Sequence, residues 1–311
     1  MPVTRSTLTG GPGYAAFNSI NIQFTEDSTV ETARVTDVVT TSLYGDIDET
    51  YRDMVVKASG TPRYYDTAAL ATMFPYIAGV IGTNYPGGSD VPCSWKSNNG
   101  DVIELTSALI GKMPELTLGV AGPVLGPMEI WGVVENSTDP ATAGSYYTLQ
   151  TGQSYSNPAV PGTAVIGNQE YTAAWGSVSG FTSFQAQEKW TISHELKLEP
   201  VTIQGRTRAF RLGGYRVLAK CKPLGPTMGQ IDAALYAQGS GAAGGTRLSV
   251  NAANLVITGS SSMTITLGNA ALKTAGYVFG GKPLRYGELG WVSTLGIGSG
   301  GTPGQAALTL A

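Results

Sequence analysis

A chain of 311 residues has the length of about two domains, each able to bury most of its surface in a core of its own. Charged residues are only 13% and glycine, at 42 residues, is close to twice its usual share, yet an apolar fraction of 42% with five Trp and fifteen Tyr excludes intrinsic disorder. A formal charge of -3 excludes a nucleic-acid clamp, whose affinity comes from Lys and Arg neutralising phosphates.

A surface so poor in charge is covered by Ser, Thr, Gly and backbone, as expected of a chain packed against copies of itself. The two cysteines, Cys93 and Cys221, stand far apart in no metal-like spacing and read as reduced thiols of a cytosolic product. The start, MPVTRSTLTGGPG, has no apolar h-region, and no stretch approaches the length needed to cross a bilayer, so neither export nor a membrane anchor is expected.

In chain order, residues 1–16 are polar and Gly-rich and read as a flexible arm. A first β domain is expected over residues 17–135. Strands are predicted at 20–24 and 30–40, then a loop over 45–53, and the sheet resumes at 54–58. A short helix follows over 66–74, with Asp66 as N-cap and Pro75 as stop. Extended runs at 101–110, 116–120 and 128–135 complete it. Residues 136–176 are rich in Ser, Thr, Gly, Pro and Tyr without a sustained period and read as a linker with surface loops.

A second β domain is expected over 177–298. Its clearest stretch is WTISHELKLE (190–199), where Trp190, Ile192, His194, Leu196 and Leu198 fall on one side of an extended chain and polar residues on the other. Pro200 closes it, and a second run at 215–221 makes a hairpin whose loop carries Arg206, Arg208 and Arg211. A helix is predicted over 227–238 and strands at 248–258, 263–267, 277–280 and 289–294. Residues 299–311 read as a loose tail.

The two halves repeat. Leu43-Tyr44-Gly45 matches Ile203-Gln204-Gly205, 160 positions on; LGPMEIWGV (125–133) matches LRYGELGWV (284–292) at 159; and Ala68-Ala69-Leu70 lines up with Ala233-Ala234-Leu235. The chain reads as one β-rich unit, with one helix laid against each sheet, written twice.

Little in it carries chemistry. His194, the single histidine, lies on the apolar side of its strand and reads as a core or interface residue rather than a catalytic base. Gly239, Gly241 and Gly244 match GxGxxG, but they follow a helix and lead into a strand, the reverse of the order that aims a helix at pyrophosphate. GYVFGGKP (276–283) nearly spells a phosphate loop, with Pro283 where the magnesium-holding Ser or Thr belongs. Tyr64-Tyr65, Trp95, Tyr146-Tyr147 and Trp175 read as core or interface anchors before a sugar platform. No catalytic residue, metal or cofactor is expected.

The acidic stretch with Asp46, Asp48, Glu49 and Asp53 lacks the alternating ligands of a calcium loop and reads as a solvated or docking loop. Its counterpart with Arg206, Arg208 and Arg211 has the opposite sign. The two are expected to meet across a subunit boundary and set register, against the plainer reading of two unrelated solvated turns.

A strand, an extended loop and a returning strand ahead of a short helix (38–57, then 66–74), the later strands SNNGDVIELTSALIGKMPELTLG and LGPMEIWGVV, and a Gly-rich amino-terminal arm resemble a tail tube (major tail) protein of a long-tailed bacteriophage. The resemblance implies a mainly β fold of two tandem tail-tube-type β-sandwich domains, each with one short α-helix, whose edge strands join into a ring with a barrel lumen. Rings would stack through the loops at 45–53 and 205–214. Three copies would give a pseudo-six-fold ring, with a hexameric ring as the alternative. The implied partners are further copies, other tail proteins such as the tape measure, and DNA that passes without specific binding; the location is the virion tail, assembled in the host cytoplasm. Another virion ring component, such as a tail terminator, neck or decoration protein, is the second reading and a carbohydrate-binding β-module the third.

Overall fold

The computed structural model describes residues 13–25, 28–64, 67–97, 100–119, 124–134, 145–154, 169–237, 253–260, 263–277, 286–297 and 303–311. The chain is mainly β, with two short helices among the described residues and several antiparallel sheets. The first half carries β1 (Gly13–Phe17), β2 (Ile20–Phe24), β3 (Thr29–Thr41), β4 (Gly45–Gly60), β5 (Pro62–Tyr64), α1 (Thr67–Met73), β6 (Asn84–Tyr85), β7 (Cys93–Ser97), β8 (Val102–Leu105), β9 (Ser107–Lys112), β10 (Leu116–Leu118), β11 (Met128–Val133) and β12 (Tyr147–Gln150). The second carries β13 (Tyr171–Trp175), β14 (Phe184–Ile203), β15 (Arg206–Leu224), α2 (Met228–Ala237), β16 (Ala253–Gly259), β17 (Thr264–Tyr277), β18 (Tyr286–Thr294), β19 (Gly296–Ile297), β20 (Pro303–Gln305) and β21 (Leu308–Leu310).

Strand pairing in the second half closes on itself. β13 pairs β14, β14 pairs β15, β15 pairs β18, β18 pairs β17, β17 pairs β16, and β16 returns to β13. The first half follows the same order with two of its strands interrupted. β1 pairs β2, which leads into β3; β3 pairs β4, β4 pairs β11, β11 pairs β9, and β8, which precedes β9, pairs β7, which returns to β1. β2 and β5 continue the β3–β4 ladder below its break, as the base of β14 and β15 does at Gln185↔Leu224.

The second circuit is filled by aromatic side chains. Trp175, Trp190, Trp291, Phe181 and Phe184 are all buried, with ring centroids 5.4 to 6.1 Å apart, edge-to-face or tilted in most pairs. The first circuit buries smaller residues, among them Ile22, Val56, Cys93, Leu105, Ile110 and Ile130. Each helix follows its long hairpin: α1 buries Ala69, Leu70 and Met73, and α2 buries Ile231 and Ala234. α2 starts on a capping box, where the Gln230 N–H donates to Thr227 Oγ1 at 3.3 Å and the Thr227 N–H to Gln230 Oε1 at 2.8 Å. Asp66, the expected cap of α1, lies outside the described residues, as do Gly239, Gly241, Gly244 and residues 278–283.

Several expectations are corrected. The acidic stretch 45–53 is strand, because β4 runs unbroken from Gly45 to Gly60 opposite β3, and the arginine stretch is likewise the start of β15. The expected arm ends earlier: β1, from Gly13, is held between β2 and β7. The expected linker contains β12, which pairs β8, and β13, a full member of the second circuit. The expected tail ends in β21, which pairs β17, with Ala307 and Leu308 buried. The short strands β1, β12, β13 and β21 each have a ladder partner more than 40 positions away in sequence, where composition cannot register it.

Candidate functional site

The two long hairpins hold the residues singled out above. In the first, β3 and β4 join through Ser42, Leu43 and Tyr44, and Gly45 takes φ 71°, the left-handed residue that closes a three-residue connection. In the second, Gln204 and Gly205 form a two-residue turn with φ 52° and 78°, the signs of a type I′ turn, which suits the right-handed twist of the strands.

The first hairpin is bare. Residues 42–52 are all exposed, with Leu43 and Tyr44 at 76%, and Val38, Ile47 and Tyr51 are exposed as well. The pairs Val38↔Glu49 and Thr36↔Tyr51 put Val38 and Tyr51 on one face, and Ile47 is the extra residue of the bulge between Val39↔Asp48 and Thr40↔Asp46. Its charges are answered within the hairpin: Thr40 donates to Asp46 (2.7 Å), Thr36 donates to Glu49 (2.6 Å), and Arg52 meets Asp37 (3.2 Å).

The second hairpin is covered on both flanks by the first half of the chain. β10 lies on the outer side of β14, with Leu116↔Ile192, Thr117↔Thr191 and Leu118↔Trp190 in register and both leucines buried. β6 lies on β15, with Tyr85↔Phe210 and Asn84↔Arg211. The Leu212 N–H donates to the Thr83 carbonyl and the Gly82 N–H to the Leu212 carbonyl, both at 2.8 Å, continuing that seam.

The first hairpin meets the second, next to the turn of the latter, at Asp53, which is 8% exposed. One carboxylate oxygen accepts the Thr207 hydroxyl (2.9 Å) and N–H (3.2 Å); the other accepts the Met54 N–H (2.9 Å) and the Tyr146 hydroxyl. Burial, with the hydrogen bond to Asp53 behind it, pushes the Tyr146 phenol well above its ordinary range, so it stays a donor. Beside this knot Trp131 packs on Phe210 (5.1 Å), with the Lys57 ammonium 5.6 Å over the indole.

Of the predicted assembly residues, Asp46, Asp48 and Glu49 are exposed on β4, Arg206 and Arg208 are half-buried next to the turn of the second hairpin, and Arg211 is exposed across from Glu199. Asp53 departs from the expectation, since it is buried and bonded within its own chain. Inside one chain the acidic and basic stretches meet where Asp53 takes Thr207. Sequence reasoning read Tyr146 as a core or interface anchor and 116–120 as an extended run; it missed Thr207, the strand β6 and the pairing of β10 with β14.

The remaining candidates are buried or, in the case of His194, half-buried. His194 Nδ1 lies 2.8 Å from the Tyr215 hydroxyl, and its ring packs on Tyr215 (5.9 Å) and Phe74 (5.3 Å). Both cysteines are free and buried, and burial pushes their thiols well up, away from nucleophilic character. Trp175 and Tyr146 are buried and present no platform to a sugar. Among the described residues no cluster of three or more His, Cys, Asp or Glu side chains is placed to hold a metal, and no helix is long and apolar enough to cross a membrane. In comparison with known proteins, no family model and no curated protein matches the chain.

Proposed function

We propose that this chain is a structural virion protein that polymerises into stacked rings and forms the hollow tail tube through which the DNA of a long-tailed phage is ejected. On this reading the two circuits are tandem tail-tube-type β-sandwich domains, three chains close a pseudo-six-fold ring, and the ring stack meets the tape measure and other tail proteins inside the virion. The observation that carries the reading is the repeated circuit with unequal surroundings, one long hairpin clasped by the other half of its own chain and the equivalent hairpin left bare. Free strands and their apolar side chains are normally blunted or covered in a protein that works alone. A heterologous contact made once inside the chain can be made again between chains, and it closes when the rotation per copy divides a full turn. The low charge supports a conduit as well, since a mildly acidic wall lets a polyanion pass without sticking.

Negative-stain microscopy of the purified full-length chain tests the proposal. Hollow tubes of uniform width are the expected result. Single rings that never stack would move the assignment to a terminator or neck component, and monomers at every concentration would overturn it.

A further inference from the structure

The repeat assigns each hairpin position its equivalent. In the second circuit Trp190 pairs Cys221, which pairs Leu289; in the first, Val30 pairs Ala58, which pairs Ile130, and Ile130 is the residue that the repeated LGPMEIWGV and LRYGELGWV segments set against Leu289. Val30, Glu31 and Thr32 therefore stand where Trp190, Thr191 and Ile192 stand, 160 positions on, the same interval that separates the two turns. On β14 those three residues carry β10. On β3 the same edge carries no strand among the described residues, and Glu31 and Thr32 are exposed where Ile192 is buried.

The other flank repeats the contrast. Glu199↔Arg211 corresponds to Val39↔Asp48, so Asp48 on β4 stands where Arg211 receives β6. Leu198, half-buried and packed on the core, corresponds to the exposed Val38. Six of the twelve large apolar side chains exposed among the described residues, Val38, Leu43, Tyr44, Ile47, Tyr51 and Val55, lie on this one hairpin.

We infer that the bare edge of β3 at residues 30–32 is the seat for a second copy of this chain, which approaches with its second half and clasps the β3–β4 hairpin as β10 and β6 clasp β14–β15. The partner is argued from continuity: the contact between the halves is heterologous, each half has the same circuit, and a chain of two halves uses up one seat and leaves one. Main-chain ladder bonds from the added strand would supply affinity, and the exposed side chains of Val38 and Tyr51, which share a face, would be covered with it. This rests on the self-assembling reading above and adds to it which surfaces join.

Site-specific photo-crosslinking decides the matter. A photoreactive side chain replaces Glu31 in the full-length protein, and unlabelled and nitrogen-15-labelled copies are mixed so that links between chains are distinguishable by mass. A second probe at Thr191 serves as the internal standard, expected to link to residues 116–118 of its own chain. The inference predicts that position 31 links to residues 171–294 of another copy, and that the link disappears on dilution to monomer. Sedimenting rings or tubes in which position 31 links to another copy's first half, or to no other copy, overturn the inference and leave the ring reading standing. A chain that stays monomeric at the highest concentration, with no link between copies, overturns both.

Discussion

His194 sits with its imidazole between Tyr215 and Phe74, where burial lowers its pKa from 6.5 to about 4. The unfolded chain takes up a proton as the pH drops below 6.5, and the folded chain resists it. The stability contributed by the neutral ring is complete above 6.5 and declines as the pH falls towards 4, by about 3 kcal/mol at most. Denaturant midpoints at pH 7 and pH 4.5 should therefore fall further in the parent than in His194→Gln, and an identical fall in both would contradict the assignment. Asp53 has a different burden, with donors from Met54, Tyr146 and Thr207 converging on one buried carboxylate. Asp53→Ala strands the Tyr146 and Thr207 groups without an acceptor and should lower unfolding free energy by about 2 to 4 kcal/mol, while Tyr146→Phe should cost about 1; equal stability of Asp53→Ala and parent would refute the account of the knot. The two residues differ in how far they could be read in advance. His194 falls on the apolar side of a period-two strand, so its burial is legible in ten residues of sequence. Asp53 lies in a run of charges, and its partners come from 93 and 154 positions away, which no local pattern announces.

The long hairpins are legible in their stems and illegible at their tips. Trp190, Ile192, Leu196 and Leu198 alternate with polar residues because one side of β14 packs inward, and that alternation marks the strand. Residues 45–53 are exposed nearly throughout, so neither face of β4 packs inward there and the period-two signal vanishes, although backbone pairing to β3 continues to Gly45. β1 and β13 hid in the expected arm and linker for a related reason: they are five residues long. Their repeat is nonetheless visible in the letters, since Ala15-Ala16-Phe17 of β1 matches Ala173-Ala174-Trp175 of β13. At this scale the opposite signs of the two hairpins can be tested by Arg206→Glu with Arg208→Glu. Assembly followed by light scattering should slow at low salt and recover towards the parent rate near 1 M salt, where the screening length is about 3 Å. A rate unaltered at all salt concentrations, in a variant with an unaltered melting midpoint, would remove these charges from the assembly step.

For the whole molecule, two halves with one strand order make a chain that is already a dimer of like units. The contact between them, β10 on β14 and β6 on β15, is a sample of the contact that would be repeated around a ring. The duplication leaves a trace in a few short matches. The coupling of the halves leaves none, because it depends on two- and three-residue strands finding edges more than 70 positions away. The most direct test of the account is the number of chains in one ring, obtained by native mass spectrometry of assembled rings together with averaged end-on views by electron microscopy. Three chains surrounding a hollow centre with six similar lobes is the predicted result; a ring built from any number of chains whose two halves occupy unlike positions, or a particle with no central void, would contradict it.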